Sequence, residues 1–155
     1  MHVYVLRHAD AEPHAATDAE RRLTGKGEQQ AAQVARFCES HGVKPDVVLS
    51  SPLRRAQETA KVVAAKLDAT LLTADWLACG AEPEDVVAEL SGHRKASAVM
   101  LVGHEPDLGR LVAYLVGTRQ GEAFHIRKAS LTALELHAHR EGGARLEFSI
   151  PVKFM

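Results

Sequence analysis

The stretch Val3-Tyr4-Val5-Leu6-Arg7-His8 runs four apolar residues straight into two basic ones. A short apolar run without polar alternation suits a strand buried on both faces, as in a parallel sheet. Runs of the same kind stand at residues 47–49, 70–73 and 99–102. Between them the apolar spacing turns helical, over residues 25–41, 52–67, 83–90 and 106–115. In the first of these helices, Ala31, Val34, Ala35 and Cys38 recur at i, i+3, i+4, i+7 and form one stripe for a core.

The boundaries carry their own signals. Thr24 and Ser51 offer side-chain oxygens to first-turn amides, Pro52, Pro83 and Pro106 suit a first helical position, and Gly42 and Gly117 suit C-terminal caps. After Gly117 the pattern alternates, through Leu131, Ala133, Leu134 and Leu136 and then Leu146, Phe148 and Ile150, with Glu141-Gly142-Gly143 as the turn between. That predicts an antiparallel hairpin. The expected fold is α/β, a mainly parallel, doubly wound sheet flanked by helices and made mixed by the C-terminal hairpin.

A chain of 155 residues fits one domain, residues 1–155, with a core that needs neither disulfides nor a structural metal. Cys38 and Cys79 form no CxxC pair and are expected to be reduced and structural. Lys and Arg number 19 against 20 Asp and Glu, so the formal charge is −1. The basic footprint of sequence-independent nucleic-acid binding is therefore missing. The opening apolar run is too short for a signal peptide, and no run reaches the ~20 residues of a membrane span. Neither nucleic acid nor membrane is an expected partner, and the cytoplasm is the expected address.

Arg7-His8 closes the first predicted strand, Ser50-Ser51-Pro52-Leu53-Arg54-Arg55 joins the second to its helix, and Gly103-His104-Glu105-Pro106 closes the fourth. In an open α/β sheet the carboxyl ends of the strands share an edge, where ligands bind. Arginines and histidines gathered there, beside two helix amino ends, suit an anion, and forked guanidinium groups suit phosphate. Arg54 and Arg55 are successive in their helix, so only one of them faces the crevice.

Such a cage becomes an enzyme if it holds a nucleophile. Neither cysteine stands at a strand end, no Gly-x-Ser-x-Gly occurs, and Gly25-Lys26-Gly27 lacks the upstream glycine of a P-loop. His8 remains. A neutral ring nitrogen attacks phosphorus and forms a phosphoramidate, dividing one displacement into two. Arg7 disfavours the imidazolium and offsets phosphoryl charge. A unit-charge pair ~4 Å apart is worth roughly 4 kcal/mol at an effective dielectric of about 20, so two arginines and a protonated histidine are expected to supply a large part of the barrier reduction electrostatically. His2, His14, His41, His93 and His125 read as ordinary surface or core residues. His137 and His139 fall at alternate positions of a predicted strand, but without a third ligand they read as exposed rather than metal-binding.

With Leu23-Thr24-Gly25-Lys26-Gly27 and Ala56-Gln57-Glu58-Thr59-Ala60, these segments resemble the histidine phosphatase superfamily, the phosphoglycerate-mutase-like fold. Within it they look most like the SixA-type phosphohistidine phosphatases. The resemblance implies a phosphatase in which His8 is phosphorylated, Arg55 rather than Arg54 binds phosphate, His104 completes the pocket and Arg7 is a further ligand. It also implies that Arg21, rather than Arg22, points into the pocket from just before Leu23-Thr24. No metal and no cofactor are expected. The implied partner is a phosphohistidine-bearing signalling protein or a small phosphorylated substrate.

Two positions depart from the pattern. Ala9 stands where glycine is usual. The region Asp75-Trp76-Leu77-Ala78-Cys79-Gly80-Ala81-Glu82-Pro83 is compact and lacks the usual acid for an alcohol leaving group, which leaves Asp18, Asp75 and Glu82 as fallback candidates. Three rivals compete with this reading. One is a metal-dependent phosphoesterase built on His8-Ala9-Asp10 with His104-Glu105, one a non-catalytic phosphate-binding module, and one a small-molecule phosphomonoesterase or mutase of the same fold.

Overall fold

The computed structural model describes residues 1–118, 120 and 123–155. Its main elements are β1 (His2–Arg7), α1 (Gly25–Ser40), β2 (Val47–Ser50), α2 (Arg54–Leu67), β3 (Thr70–Thr73), α3 (Pro83–Leu90), β4 (Ala98–Gly103), α4 (Asp107–Val116), β5 (Leu131–Leu136) and β6 (Ala144–Ile150). The six strands form one sheet in the order β3-β2-β4-β1-β5-β6. β1 and β2 both pair with β4 in parallel, and β2 pairs with β3 in parallel. β5 is antiparallel to β1 and to β6, so the sheet is mixed, as the C-terminal alternation predicts.

Because side chains alternate across a strand, the sheet splits its apolar residues between two layers. Tyr4, Leu6, Val48, Met100 and Val102 join a core with Ala31, Val34 and Cys38 of α1 and Ala56, Ala60 and Val63 of α2. Val3, Val5, Leu49, Val99 and Leu101 join the opposite core with Val86 and Leu90 of α3 and Leu108, Leu111 and Val112 of α4. β1, β2 and β4 therefore lack polar alternation because both faces of the sheet are covered.

Several expectations are corrected. β3 is an edge strand, not a buried one, and leaves Leu72 46% exposed. β6 is the other edge, and its alternation does not produce a buried face, since Leu146 and Phe148 remain exposed at a register shift opposite Ala133 and Leu134. Pro52 lies outside α2, whose cap is Leu53 without a side-chain bond, and Pro106 is the cap of α4 rather than its first residue. Ser51 Oγ accepts from the Leu53 N–H at 3.3 Å, just ahead of the helix rather than in its first turn. β5 stops at Leu136, so His137 and His139 belong to the following turn.

Thr24 does cap α1, accepting a hydrogen bond from Gly27 N at 3.0 Å, and its hydroxyl donates to Asp10 Oδ2 at 2.8 Å. The Thr24 N–H also donates to the Asp10 carbonyl at 3.1 Å. The chain leaving β1 therefore lies against the first turn of α1, and a Cβ on Gly27 would collide with the Asp10 carbonyl. Glycine inside a helix ordinarily costs about 0.5–1 kcal/mol relative to alanine. Here the sign is expected to invert, because overpacking costs roughly 1–3 kcal/mol. Gly27→Ala should lower the unfolding free energy in urea titration, and a gain would mean that this contact is loose.

Candidate active site

The parallel register sets Arg7 beside Gly103 and Ser50 beside Val102. Two further backbone bonds extend it past the strand ends, His8 N to Gly103 O at 3.1 Å and Ser51 N to Val102 O at 2.9 Å. His8, Ser51 and His104 therefore emerge together, with the His8 and His104 ring centroids 5.2 Å apart. Arg55 reaches the same crevice from the first turn of α2. His8, Arg55 and His104 are buried at 5%, 5% and 2% exposure, low values for basic groups.

A short chain of bonds fixes these parts. The Ala9 N–H donates to Thr59 Oγ1 at 3.0 Å, and the Thr59 hydroxyl donates to the Arg55 carbonyl at 2.8 Å. The backbone after the histidine is thus tied to the helix turn that carries the arginine. Ala9 is fully buried, so its methyl packs into the core instead of obstructing the crevice.

The His8 ring shows which nitrogen is available for chemistry. Its Nδ1 lies 2.7 Å from the Ala9 carbonyl. A carbonyl only accepts, so the proton sits on Nδ1 and the lone pair on Nε2. His104 Nε2 shares a 2.7 Å hydrogen bond with Ser51 Oγ. Burial first, and then repulsion from His104, Arg55 and Arg7, pushes His8 down to about 3 despite the Ala9 bond. Burial and Arg55 push His104 down to about 4. Both rings are therefore neutral near pH 7.

Arg7 donates from Nη1 to the Ile126 carbonyl at 3.0 Å, and the Ile126 N–H donates to Glu105 Oε1 at 2.7 Å. Glu105 thereby anchors the segment that orients Arg7. Arg55 donates from Nη1 to the Asp18 carbonyl at 2.8 Å and from Nη2 to Asp18 Oδ2 at 3.1 Å. Cys79, exposed rather than internal, has its sulfur 3.9 Å from Arg55 Nη2. Three buried nitrogens, Arg7 Nε, Arg55 Nε and His104 Nδ1, have no partner among the described residues.

Arg21 stands one step removed. It donates from Nε to the Glu12 carbonyl at 2.6 Å and from Nη1 to Asp18 Oδ1 at 2.9 Å, so it braces the carboxylate that holds Arg55. Arg22 is exposed and pairs with Glu12 at 3.2 Å. Hydrogen bonds from Arg21 and Arg55 hold Asp18 below the usual carboxylate range, unlike a group poised to give a proton. Glu82 pairs with Arg110 at 3.5 Å, and Asp75 is exposed on a short turn.

The Asp10 carboxylate accepts from Lys128 at 2.7 Å and from Thr24. Among the described residues no group of three or more His, Cys, Asp and Glu side chains is placed to hold a metal ion. Sequence reasoning missed Ser51 as the partner of His104, Thr59 as the tether, and Glu105 behind Arg7. Ser-Ser before the helix and Thr59 one turn after Arg55 were the visible signals for the first two.

Residues 3–78 match the family described as histidine phosphatase superfamily (branch 1). A phosphohistidine phosphatase SixA homolog of Haemophilus influenzae is 30% identical over 136 residues, covering 81% of this chain and 83% of that protein. The chain belongs to the histidine phosphatase superfamily. The structure of the protein histidine phosphatase SixA complexed with tungstate superposes with a TM-score of 0.89 at 24% identity, over 99% of both chains. An alpha-ribazole phosphatase from Shigella flexneri shares the fold at a TM-score of 0.79 and 19% identity, over 95% of both chains. This phosphatase is thus SixA-like in fold, a mixed α/β sheet of six strands flanked by helices.

The buried imidazoles make its stability pH-dependent. Both rings are neutral when folded and ionise near 6.5 when unfolded, so the unfolded chain binds more protons as pH falls below that value. Stability is then lost on acidification, by roughly 2 kcal/mol per ring at pH 5. Urea unfolding at pH 8 and pH 5 should show a loss about 4 kcal/mol smaller in the His8→Ala/His104→Ala variant than in the wild type. Equal losses would place both imidazoles in contact with water.

Proposed function

We propose that this phosphatase hydrolyses phosphohistidine on a protein, through a covalent intermediate on His8. The observation that carries the reading is the neutral His8, held with its proton on Nδ1, beside the buried, unpartnered Nε–H groups of Arg7 and Arg55 and the unpartnered Nδ1 of His104. An uncompensated buried donor costs about 1–3 kcal/mol, and an anion accepting from the arginines recovers that cost. Phosphoryl oxygens carry the charge and the number of acceptors required.

In the first step the lone pair of His8 Nε2 attacks phosphorus, and the bond from phosphorus to the substrate's ring nitrogen breaks. The leaving imidazole keeps that electron pair and departs neutral, its distal nitrogen carrying a proton taken from solvent. In the second step water attacks the phosphoryl group, the bond to Nε2 breaks, and its electron pair returns to His8 as phosphate departs. His8 retains the Nδ1 proton throughout, with the Ala9 carbonyl fixing the ring. Arg7, Arg55 and His104 donate to the equatorial oxygens of both transition states. His104 enters neutral, and the approaching dianion favours its protonation, opposing the burial that holds it near 4.

The substrate class rests on the leaving group. An alkoxide must be protonated as it leaves, and a positioned acid supplies about 10²- to 10⁴-fold. Asp18 is engaged by two arginines, and Glu82 by Arg110. Imidazole, with a pKa of about 6.5, departs neutral without a dedicated carboxylic acid. The alternative is a small phosphate ester, and it is supported by the alpha-ribazole phosphatase that shares the fold. The one-domain organisation, the cytoplasmic address and a role in signal transduction belong to this same proposal.

His8→Ala should abolish both turnover and the acid-labile phosphoenzyme seen by mass spectrometry. For the wild type, kcat/KM on a phosphohistidine peptide should exceed that on glycerol phosphate by at least ~10²-fold, with aryl phosphates between. Comparable rates on both would favour the ester reading and imply that a carboxyl group acts as the acid. EDTA should leave the rate unchanged, and a loss restored by a divalent metal would overturn the metal-independent mechanism.

A further inference from the structure

A second cavity, of about 450 Å³, is lined by Arg7. Its walls bring together Arg7, Lys26, Arg127, Lys128 and Lys153, from the end of β1, the first turn of α1, the segment before β5 and the C-terminal turn. Asp10 is the one carboxylate among the described lining residues, and both of its oxygens already accept from Lys128 and Thr24. Lys26, Arg127 and Lys153 are exposed, and none pairs with a carboxylate among the described residues. In a chain of net charge −1 this is a local excess of positive charge, and it touches the proposed phosphate site through a shared arginine.

We infer that this groove receives an acidic segment flanking the phosphorylated histidine of a protein substrate. The inference rests on the phosphohistidine reading and adds the character of the partner's surface. A cleft lined with one sign of charge focuses its field and raises the rate of encounter with the opposite sign. The type of cation favours an extended acidic segment over a second compact phosphate. A phosphate cage needs converging, forked donors, whereas most of these groups are lysine ammoniums, point charges on flexible stems set around an open groove. Arg7 fixes the register, because the flanking residues must run past it once the phosphoryl group is seated.

The test uses phosphohistidine peptides whose flanks are aspartate, serine or lysine, with the Lys26→Ser/Arg127→Ser/Lys153→Ser variant beside the wild type. Three exposed pairings are together worth on the order of tenfold. At low ionic strength the aspartate-flanked peptide should show roughly that advantage in kcat/KM over the serine-flanked one, lost in 0.5 M salt, on the order of one charge pair's full screening, and lost in the variant. Turnover of 4-nitrophenyl phosphate by the variant should stay within about twofold of wild type, which shows that the fold and the His8 site are intact.

Fluorescence anisotropy of the same peptides on His8→Ala reads the groove without turnover. If no phosphohistidine peptide is hydrolysed, the functional reading fails while the binding preference still decides the groove. No preference for aspartate flanks in binding, or a preference retained by the triple variant, would overturn the inference. So would a methylene bisphosphonate that competes with 4-nitrophenyl phosphate more strongly than the acidic peptide does and loses that advantage in the variant, since it would assign the groove to a second phosphate group.

Discussion

The His8 N–H donates to the Gly103 carbonyl, the last rung of the parallel ladder between β1 and β4 at the centre of the sheet. Every group of the crevice is placed relative to that rung. It sets His8 against His104, and the neighbouring bond from Ser51 N to Val102 O brings up the hydroxyl that holds His104. The Ala9–Thr59–Arg55 chain then fixes α2 to the same point. A one-residue slip would turn His8 toward the opposite layer, but the two cores flanking β1 and β4 specify the register. The apolar interior is thus what gives the polar site its precision.

That precision has a cost, borne by the basic groups. Two imidazoles and a guanidinium are nearly buried, and three of their ring or guanidinium nitrogens, counting Arg7, lack partners. Burial keeps His8 neutral, as nucleophilic attack requires, and the same burial leaves the arginines' charge poorly screened where phosphoryl charge develops. Asp18 moderates the cost. Its carbonyl and carboxylate engage both terminal nitrogens of Arg55, and Arg21 braces it from the solvent side. Because the Asp18 side chain is 62% exposed, this ion pair is screened by water and is a weak competitor for the guanidinium.

The fold was legible because burial on both faces erases polar alternation, a one-dimensional signature found in residues 3–6, 47–49 and 99–102. The edges were harder to read. Leu71 and Leu72 look like core from composition, yet β3 has no neighbour beyond it, and no local pattern records which strand ends a sheet. Arg7, His8, Arg55 and His104 were legible because three strand ends had to share an edge. Arg21 was harder to place, since its direction depends on how residues 10–22 fold back, through the Ala11–Leu23 bridge and the turn at Asp18–Glu20. Glu105 was missed because its role runs through the backbone of Ile126, a contact 21 residues away that carries no side-chain motif.

Glu105 also shows how a carboxylate beside a phosphate site can avoid repelling the substrate. Burial raises its pKa, while the Ile126 N–H, Arg7 and the Gly109 N–H oppose that rise. Its charge is thereby directed into backbone amides, away from an incoming anion. Gly109 is required for the approach, because a Cβ there would come within 2.5 Å of the Phe124 carbonyl and 3.0 Å of Glu105 Oε2. The segment carrying Phe124 and Ile126 can consequently lie against α4 and present the Ile126 carbonyl to Arg7. Arg7 is oriented by a neutral oxygen rather than by a direct bond to a carboxylate, and the attraction of nearby Glu105 offsets part of the burial that disfavours its charge.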